Sequence, residues 1–121
     1  RALTRQSMGA TLADNAVVQS MLAEMVLDVE ASALLIYRAA WLRDAMGQRN
    51  SREAALAKLH ATDSAQQVID KAVQIFGGLG VTVGCPVESL YREIRALRIY
   101  EGASEVQKIV IARHHLAEAR S

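Results

Sequence analysis

The sequence predicts an all-α fold, an antiparallel up-and-down bundle of about four helices. Hydrophobic residues make up 51% of the 121 residues, whereas aromatic residues make up only 4% and there is one proline. A β-sandwich would need more turn residues and more aromatic or β-branched runs. Apolar residues also recur near the helical period through long segments without Gly or Pro, which is typical of packed helices.

The first helix is predicted over residues 11–46, where apolar residues recur from Leu12 to Met46 and Gly47 provides a stop. It would be about 54 Å long at the α-helical rise. Residues such as Val26 and Leu34 make more than one of its faces apolar. We therefore expect other domains or subunits to cover it.

The second helix is predicted to begin near Asn50, because N-S-R-E matches a capping box with Glu53 at the third helical position. It should end at Gly77-Gly78, where left-handed backbone angles are accessible. The following G-L-G-V-T-V-G is expected to be a loop or a short extended piece.

Two shorter helices should follow. Pro86 suits the first position of the third helix, and Gly102 interrupts the pattern after it. The S-x-x-Q spacing predicts a second capping box that opens the fourth helix at Ser104 and Gln107. In the third helix we expect these apolar residues to face inward: Leu90, Tyr91, Ile94 and Leu97.

Composition excludes several classes of function. The formal net charge is +1, from 14 basic and 13 acidic residues, so neither nucleic acid nor an anionic membrane is an expected partner. No apolar run approaches the roughly 20 residues of a membrane span. The single Cys85 excludes an internal disulfide. His114 and His115 are adjacent and would point apart on a helix, so no metal site is expected.

Glu101 is the carboxylate with the most unusual surroundings, because it stands where one helical pattern breaks and the next begins. Such a residue is commonly a partner of the helix dipole. Alternatively it is a catalytic base, with Ile99 and Tyr100 as apolar wall and Gly102 leaving room for a substrate. The residues alone leave both interpretations open. G-G-L-G is interpreted mainly as a helix terminator, since G-x-G-x-x-G and a P-loop lysine are both missing there. Its bare glycines would still let a flat or charged ligand approach the backbone closely.

Five stretches in order resemble motifs of the C-terminal helical domain of the acyl-CoA dehydrogenase family. R-Q-S-M-G resembles R-x-x-F-G, L-A-E-M with Y-R-A-A-W resembles the second motif, and Q-I-F-G-G-L-G resembles Q-x-x-G-G-x-G. P-V-E-S-L-Y-R-E-I-R-A-L-R-I-Y-E-G-A-S-E-V-Q resembles the signature that ends in I-Y-E-G-T-S-E-I-Q. Three positions depart from these patterns: Met8 replaces an aromatic residue, Ala10 replaces Lys, and Ala103 replaces Thr.

The resemblance implies FAD-dependent oxidation of an acyl-CoA thioester to the trans-2-enoyl-CoA. Glu101 would remove the α-proton, and its amide would help to polarise the thioester carbonyl. Substrate-binding positions would be Tyr100, Gly102 and Arg113. Positions implied for FAD fall in three groups: Arg5, Gln6 and Ser7; Gln74, Ile75, Phe76, Gly77 and Gly78; and Ala103, Ser104 and Glu105.

The resemblance also implies a larger enzyme. Residues 1–121 would be a fragment without the N-terminal helical and β domains, inactive alone, and prone to self-association. Expected partners are an acyl-CoA substrate, an electron acceptor such as an electron-transfer flavoprotein, and further copies in a dimer or tetramer. The expected location is the bacterial cytoplasm, or the mitochondrial matrix in a eukaryote. Two alternatives stay open, an acyl-CoA oxidase-like flavoenzyme and a non-catalytic helical assembly module.

Overall fold

A computed structural model describes residues 1–120, and it consists almost entirely of helices. In chain order the elements are β1 (Gln6–Ser7), β2 (Ala10–Thr11), α1 (Ala16–Asp44), α2 (Ser51–Phe76), α3 (Pro86–Leu97) and α4 (Ser104–Glu118), with short 3-10 turns at Leu12–Asp14 and Gly77–Val81. The predicted all-α fold with about four helices is confirmed.

The first helix begins five residues later than predicted. Residues 6–11 form a small antiparallel hairpin in which Gln6 faces Thr11 and Ser7 faces Ala10. Asp14 then accepts hydrogen bonds from the Thr11 amide at 2.9 Å and the Thr11 hydroxyl at 2.7 Å, and these bonds hold the pKa of the Asp14 carboxyl below its usual value. The chain enters α1 only at Asn15, whose side-chain oxygen accepts from the Val17 amide at 2.8 Å.

The second helix ends at Phe76 as predicted, but the predicted capping box at its start is wrong. The Asn50 side chain makes no cap bond and instead donates to the Ala39 carbonyl of α1 at 2.8 Å. Glu53 pairs with Arg38, with an Nη2–Oε1 distance of 3.6 Å. Both side chains are therefore used to join α1 to α2, because the two helices lie close together there.

The second capping box is also wrong. Ser104 is the first residue of α4, Ala103 occupies the cap position, and no side chain caps this helix. In α3, Pro86 is the first residue as predicted, but only Ile94 is buried. The other three apolar residues predicted to face inward border cavities against α2 but are not buried by it, since Leu90, Tyr91 and Leu97 keep 38–48% of their surface exposed.

The turn after α2 is a 3-10 turn rather than an extended piece. Gly77 has a φ of 62° and ends α2. Gly80 is buried, and a Cβ built on it would lie 2.5 Å from the Val73 carbonyl oxygen. Glycine is thus required at residue 80 for close packing of the turn on α2.

α2 lies at the centre and contacts each of the other helices. It is antiparallel to α1, because Lys71 near its end pairs with Glu24 at 3.0 Å whereas Glu53 near its start pairs with Arg38. α3 runs back along the second half of α2, and α4 continues in the same direction along the first half. The far end of α4 is joined to the start of α2 by Arg52 and Glu118, whose Nη1 and Oε1 atoms are 3.0 Å apart.

The buried interior is small. The buried apolar residues among those described are Ala39, Ala55, Ala57, Cys85 and Ile94. Large apolar side chains of α1 remain exposed, among them Leu27 and Leu34 at 68% each and Tyr37 at 70%. No helix within residues 1–120 has the length and apolar character required to cross a membrane.

Candidate active site

Glu101 lies in the loop of residues 98–103 that joins α3 to α4, and its backbone is in the left-handed region. Its φ is 55°, and Gly102 follows with a φ of 90°. Such angles are routine for glycine but unfavourable for a glutamate, and they persist only where the surrounding structure imposes them. The side chain of Glu101 is exposed.

Side chains of α2 hold this loop at both ends. Asp63 Oδ1 lies 2.7 Å from Arg98 Nε, an ion pair in which the N–H is not aligned for a hydrogen bond. The same carboxylate oxygen accepts a long hydrogen bond of 3.4 Å from the Ser104 hydroxyl. Asp63 therefore contacts the residue that follows α3 and the residue that begins α4.

A third contact from α2 reaches the middle of the loop. Lys58 Nζ donates to the Gly102 carbonyl at 2.6 Å, and Gln107 Nε2 donates to the same oxygen at 3.2 Å. A Cβ on Gly102 would collide with the Gln107 amide nitrogen. The Gln107 side chain is flexible and can move aside, so it is the positive φ that favours glycine next to Glu101.

The structure gives little support to Glu101 as a partner of the α4 dipole. Glu105 is the acidic residue in the first turn of α4, and Glu101 precedes the cap residue Ala103. Within residues 1–120 the Glu101 carboxylate accepts no hydrogen bond, and its backbone N–H donates none. An acceptor from a ligand can therefore approach that N–H without displacing an internal partner.

This chain does not enclose the carboxylate. Ile99 and Tyr100, the expected apolar wall, are 59% and 51% exposed. Tyr100 forms part of a small cavity of about 160 Å³ between α2 and α3, together with Leu90, Ile94 and Leu97. A dry site around Glu101 would need further walls from outside these residues.

A second group of predicted residues meets at the other end of α2. Gln74 is exposed in the last turn, and a Cβ on Gly77 or Gly78 would meet no atom within 4 Å, so the backbone there is open. Ile75 and Phe76 line a cavity of about 460 Å³ shared with Arg1, Ala2 and Leu3. The segment leading to Arg5 therefore packs at the same end as the glycine turn.

Arg5 is suited to an anionic ligand. Its backbone is fixed, since its N–H donates to Arg1 and its carbonyl accepts from Leu12, each at 2.9 Å. Its side chain is exposed and forms no ion pair within residues 1–120. Gln6 and Ser7 follow it as the exposed strand β1.

The structure therefore brings the predicted site residues together in two groups rather than one. Residues 100–105 form the first, and residues 5–7 with 74–78 form the second. Gly77 lies fourteen positions after Asp63, which corresponds to about 21 Å along the axis of α2. Arg113 is exposed on α4 and lies about 14 Å along the helix from Ser104.

Ser104 itself is buried, and its hydroxyl is directed towards Asp63. The predicted contact of Ser104 with a cofactor would therefore require its backbone or a rearranged side chain.

Sequence reasoning missed Lys58, Asp63 and Gly80. Lys58 and Asp63 stand in an amphipathic helix, where a charged residue gives no sign that it reaches a distant loop. The partners of Asp63 lie 35 and 41 positions further along the chain, a separation that no local pattern covers. For Gly80 a signal was present, since it is the third glycine in G-G-L-G and one glycine suffices to end a helix.

A family model described as the acyl-CoA dehydrogenase C-terminal domain matches residues 1–116. The chain belongs to the acyl-CoA dehydrogenase family. The human mitochondrial short-chain specific acyl-CoA dehydrogenase (Homo sapiens) is 44% identical over 117 residues, which is 97% of this chain and 28% of that protein. The predicted family resemblance is thus confirmed, and the two groups of residues lie in an acyl-CoA dehydrogenase C-terminal domain.

Solved structures of other proteins share the fold. Butyryl-CoA dehydrogenase from Megasphaera elsdenii superposes with a TM-score of 0.92 at 36% identity, over 95% of this chain and 30% of that one. The FAD complex of PigA gives a TM-score of 0.89 at 30% identity, over 93% of this chain and 29% of that one. The chain thus spans less than a third of the length of these relatives.

Proposed function

We propose that this domain serves an FAD-dependent oxidation of acyl-CoA thioesters to trans-2-enoyl-CoA, with Glu101 as the base. The observation that carries the proposal is the conformation of Glu101, a left-handed glutamate at the position of the I-Y-E-G motif, on a loop fixed from α2. Strain that is imposed by surrounding contacts clusters at functional sites. The names of two relatives supply the substrate class, acyl-CoA.

The chemistry requires a base and a stabilised enolate. A hydrogen on the α-carbon of a thioester becomes acidic only when charge that develops on the carbonyl oxygen is stabilised by donors. The Glu101 carboxylate would take the α-proton, and the free N–H of the same residue would donate to the thioester oxygen. Both groups belong to one residue, so a single backbone conformation orients the base and the donor together.

The residues of the second group are suited to hold part of FAD, which when bound supplies the acceptor for the β-hydride. Arg5 offers an unpaired guanidinium for a phosphate, and Gly77 and Gly78 offer open backbone. Among the residues near the base, Glu105 and the cap residue Ala103 are accessible for the dinucleotide. Because Asp63, which contacts the first group, and Gly77 of the second are about 21 Å apart along α2, one FAD contacting both groups would have to be extended, or two copies of the chain would each contribute one group.

Further expectations follow from the family. Tyr100, Gly102 and Arg113 are proposed to contact the acyl-CoA, and an electron-transfer flavoprotein is proposed as the electron acceptor. We also propose a homo-oligomer, because α1 leaves large apolar side chains uncovered. The proposed location is the bacterial cytoplasm or the mitochondrial matrix, and one relative is named as mitochondrial.

Replacement of the base tests the proposal. In the complete protein, Glu101→Gln should lower kcat at least about a hundredfold while FAD remains bound, because the amide keeps the shape but cannot accept the proton. Glu30→Gln, at an exposed position of α1 outside both groups of site residues, is the matched control and should retain most of the activity. Full activity of Glu101→Gln would place the base elsewhere or make the domain structural. Oxygen consumption in the same assay separates an oxidase from a dehydrogenase.

A further inference from the structure

Lys58 is the feature that neither the family motifs nor the proposed mechanism uses. It lies in the first half of α2, is partly buried, and donates its ammonium to the Gly102 carbonyl at 2.6 Å. That carbonyl belongs to the residue directly after the proposed base. Lys58 is therefore connected to Glu101 by one intervening residue and one hydrogen bond.

The Lys58 ammonium is bonded to a backbone carbonyl and not to a carboxylate. Within residues 1–120 no carboxylate lies within 4.0 Å of the Lys58 ammonium, whereas Lys71 on the same helix pairs with Glu24 at 3.0 Å and Asp28 at 3.9 Å. A partly buried cation without a carboxylate is unfavourable unless its hydrogen bonds are well made. Here the ammonium is directed at a backbone carbonyl of the loop, where the bond is short and charge-assisted.

The bond restrains the backbone that carries the base. Gly102 has a φ of 90° and little side-chain restraint, so its peptide group would otherwise turn readily. Two donors, Lys58 and Gln107, meet at its carbonyl and fix the direction of the peptide plane. With that plane fixed and Arg98 held by Asp63, Glu101 is held from both sides in its left-handed conformation.

We propose that Lys58 is a positioning residue, which holds the loop so that the Glu101 carboxylate and N–H face the substrate carbon and carbonyl. The inference rests on the function proposed above. Lys58 does not touch the substrate in this assignment and acts only through Gly102. A small displacement of a reacting group lowers a rate by up to about a hundredfold, so loss of the bond should be seen in kcat more than in KM.

The test uses the complete, flavin-loaded protein with three variants. Lys58→Met removes the donor and keeps an apolar stem, Lys58→Arg keeps a cationic donor, and Lys71→Met is the control that breaks an ion pair on the same helix. Lys58→Met should lower kcat about tenfold or more with flavin content and KM little changed, since positioning rather than binding is lost. Lys58→Arg should recover a large part of kcat, and Lys71→Met should leave it unchanged.

A second readout does not depend on turnover. Amide hydrogen exchange of the peptide covering residues 99–103 should be faster in Lys58→Met than in Lys71→Met. Exchange within α2 should be equal in the two variants. If Lys58→Met does not fold, Lys58→Gln, with a shorter neutral donor, replaces it in the same comparison. The inference is overturned if the kcat and loop exchange of the Lys58 variant equal those of Lys71→Met. It is equally overturned if activity falls only in proportion to bound flavin.

Failure of this inference is distinguishable from failure of the proposed function. An inactive Glu101→Gln with an unimpaired Lys58→Met leaves Glu101 as the base and removes the positioning role. An active Glu101→Gln removes the base assignment and the positioning role that depends on it, whatever Lys58→Met does.

Discussion

At the scale of single residues, the informative observation about Glu101 is its backbone angle. A left-handed conformation of a non-glycine residue costs about 1 kcal/mol or more, and the contacts of Lys58 and Asp63 with the loop offset that cost. A glycine at this position would relieve the strain without any other change. The presence of glutamate despite the strain supports the proposal that its carboxylate is the base.

This argument predicts opposite orders of stability at two nearby glutamates. Glu101→Gly should be more stable than Glu101→Ala by about 1 kcal/mol, because alanine retains the strain of a positive φ. At Glu105, in the first turn of α4, the order should reverse, since glycine disfavours a helix. Urea denaturation of the four variants measures the differences. Equal stability of the two Glu101 variants would mean that the loop is not strained.

For single residues, the sequence predicted features that depend on neighbours along the chain but not contacts between distant residues. The break in the helical pattern singled out Glu101 and Gly102, and the family resemblance then suggested a role for Glu101. The contacts that hold the loop were not predictable, because Lys58 lies 44 positions from Gly102 and Asp63 lies 41 positions from Ser104. Both capping boxes also failed, since Asn50 and Ser104 make tertiary contacts in place of local ones.

At the scale of elements, the hairpin before α1 has a comparable strain. Its two-residue turn consists of Met8, with a φ of 52°, and Gly9, with a φ of 86°. Turns of this type require positive φ at both positions and favour Asn-Gly. Met8 is fully exposed, so no packing within this chain compensates. The hairpin matters for the proposed function because it follows directly on Arg5.

We therefore expect Met8→Asn to stabilise the hairpin. The gain should be about 1 kcal/mol, which corresponds to about fivefold slower exchange of the Leu12 amide that bonds to Arg5. Met46→Asn is the control, because it replaces another exposed methionine outside a left-handed turn. Unchanged exchange in Met8→Asn would show that the turn does not limit opening of the hairpin.

The elements themselves were largely predictable. Helical periodicity, the stop at Gly77 and the start at Pro86 defined the end of α2 and the beginning of α3, because long periodic segments and glycine or proline boundaries are strong signals. The start of α1 was not predicted, since Leu12 and Ala13 continue the apolar pattern while Asp14 and Asn15 redirect the backbone. Local hydrogen bonds of Asp and Asn thus prevailed over periodicity.

At the scale of the whole molecule, the apolar faces of α1 are the clearest agreement between sequence and structure. The sequence predicted apolar residues on several faces, and α2 covers only one of them. Leu27, Leu34, Tyr37 and Trp41 remain more than half exposed. Monomeric soluble proteins rarely expose large contiguous apolar patches, so these side chains indicate a surface that packs against something else.

The purified 121-residue chain should therefore self-associate and carry little FAD, because the proposed FAD positions form two open, separate groups. Light scattering at increasing concentration should show species larger than a monomer. Replacing Leu27 and Leu34 together by Glu should reduce the association, because charges on that face oppose its burial. Gln48→Glu with Gln67→Glu adds the same charge at exposed polar positions and should leave it unchanged. A clean monomer would show that α1 needs no cover. Stoichiometric bound flavin would show that this chain holds FAD without other domains.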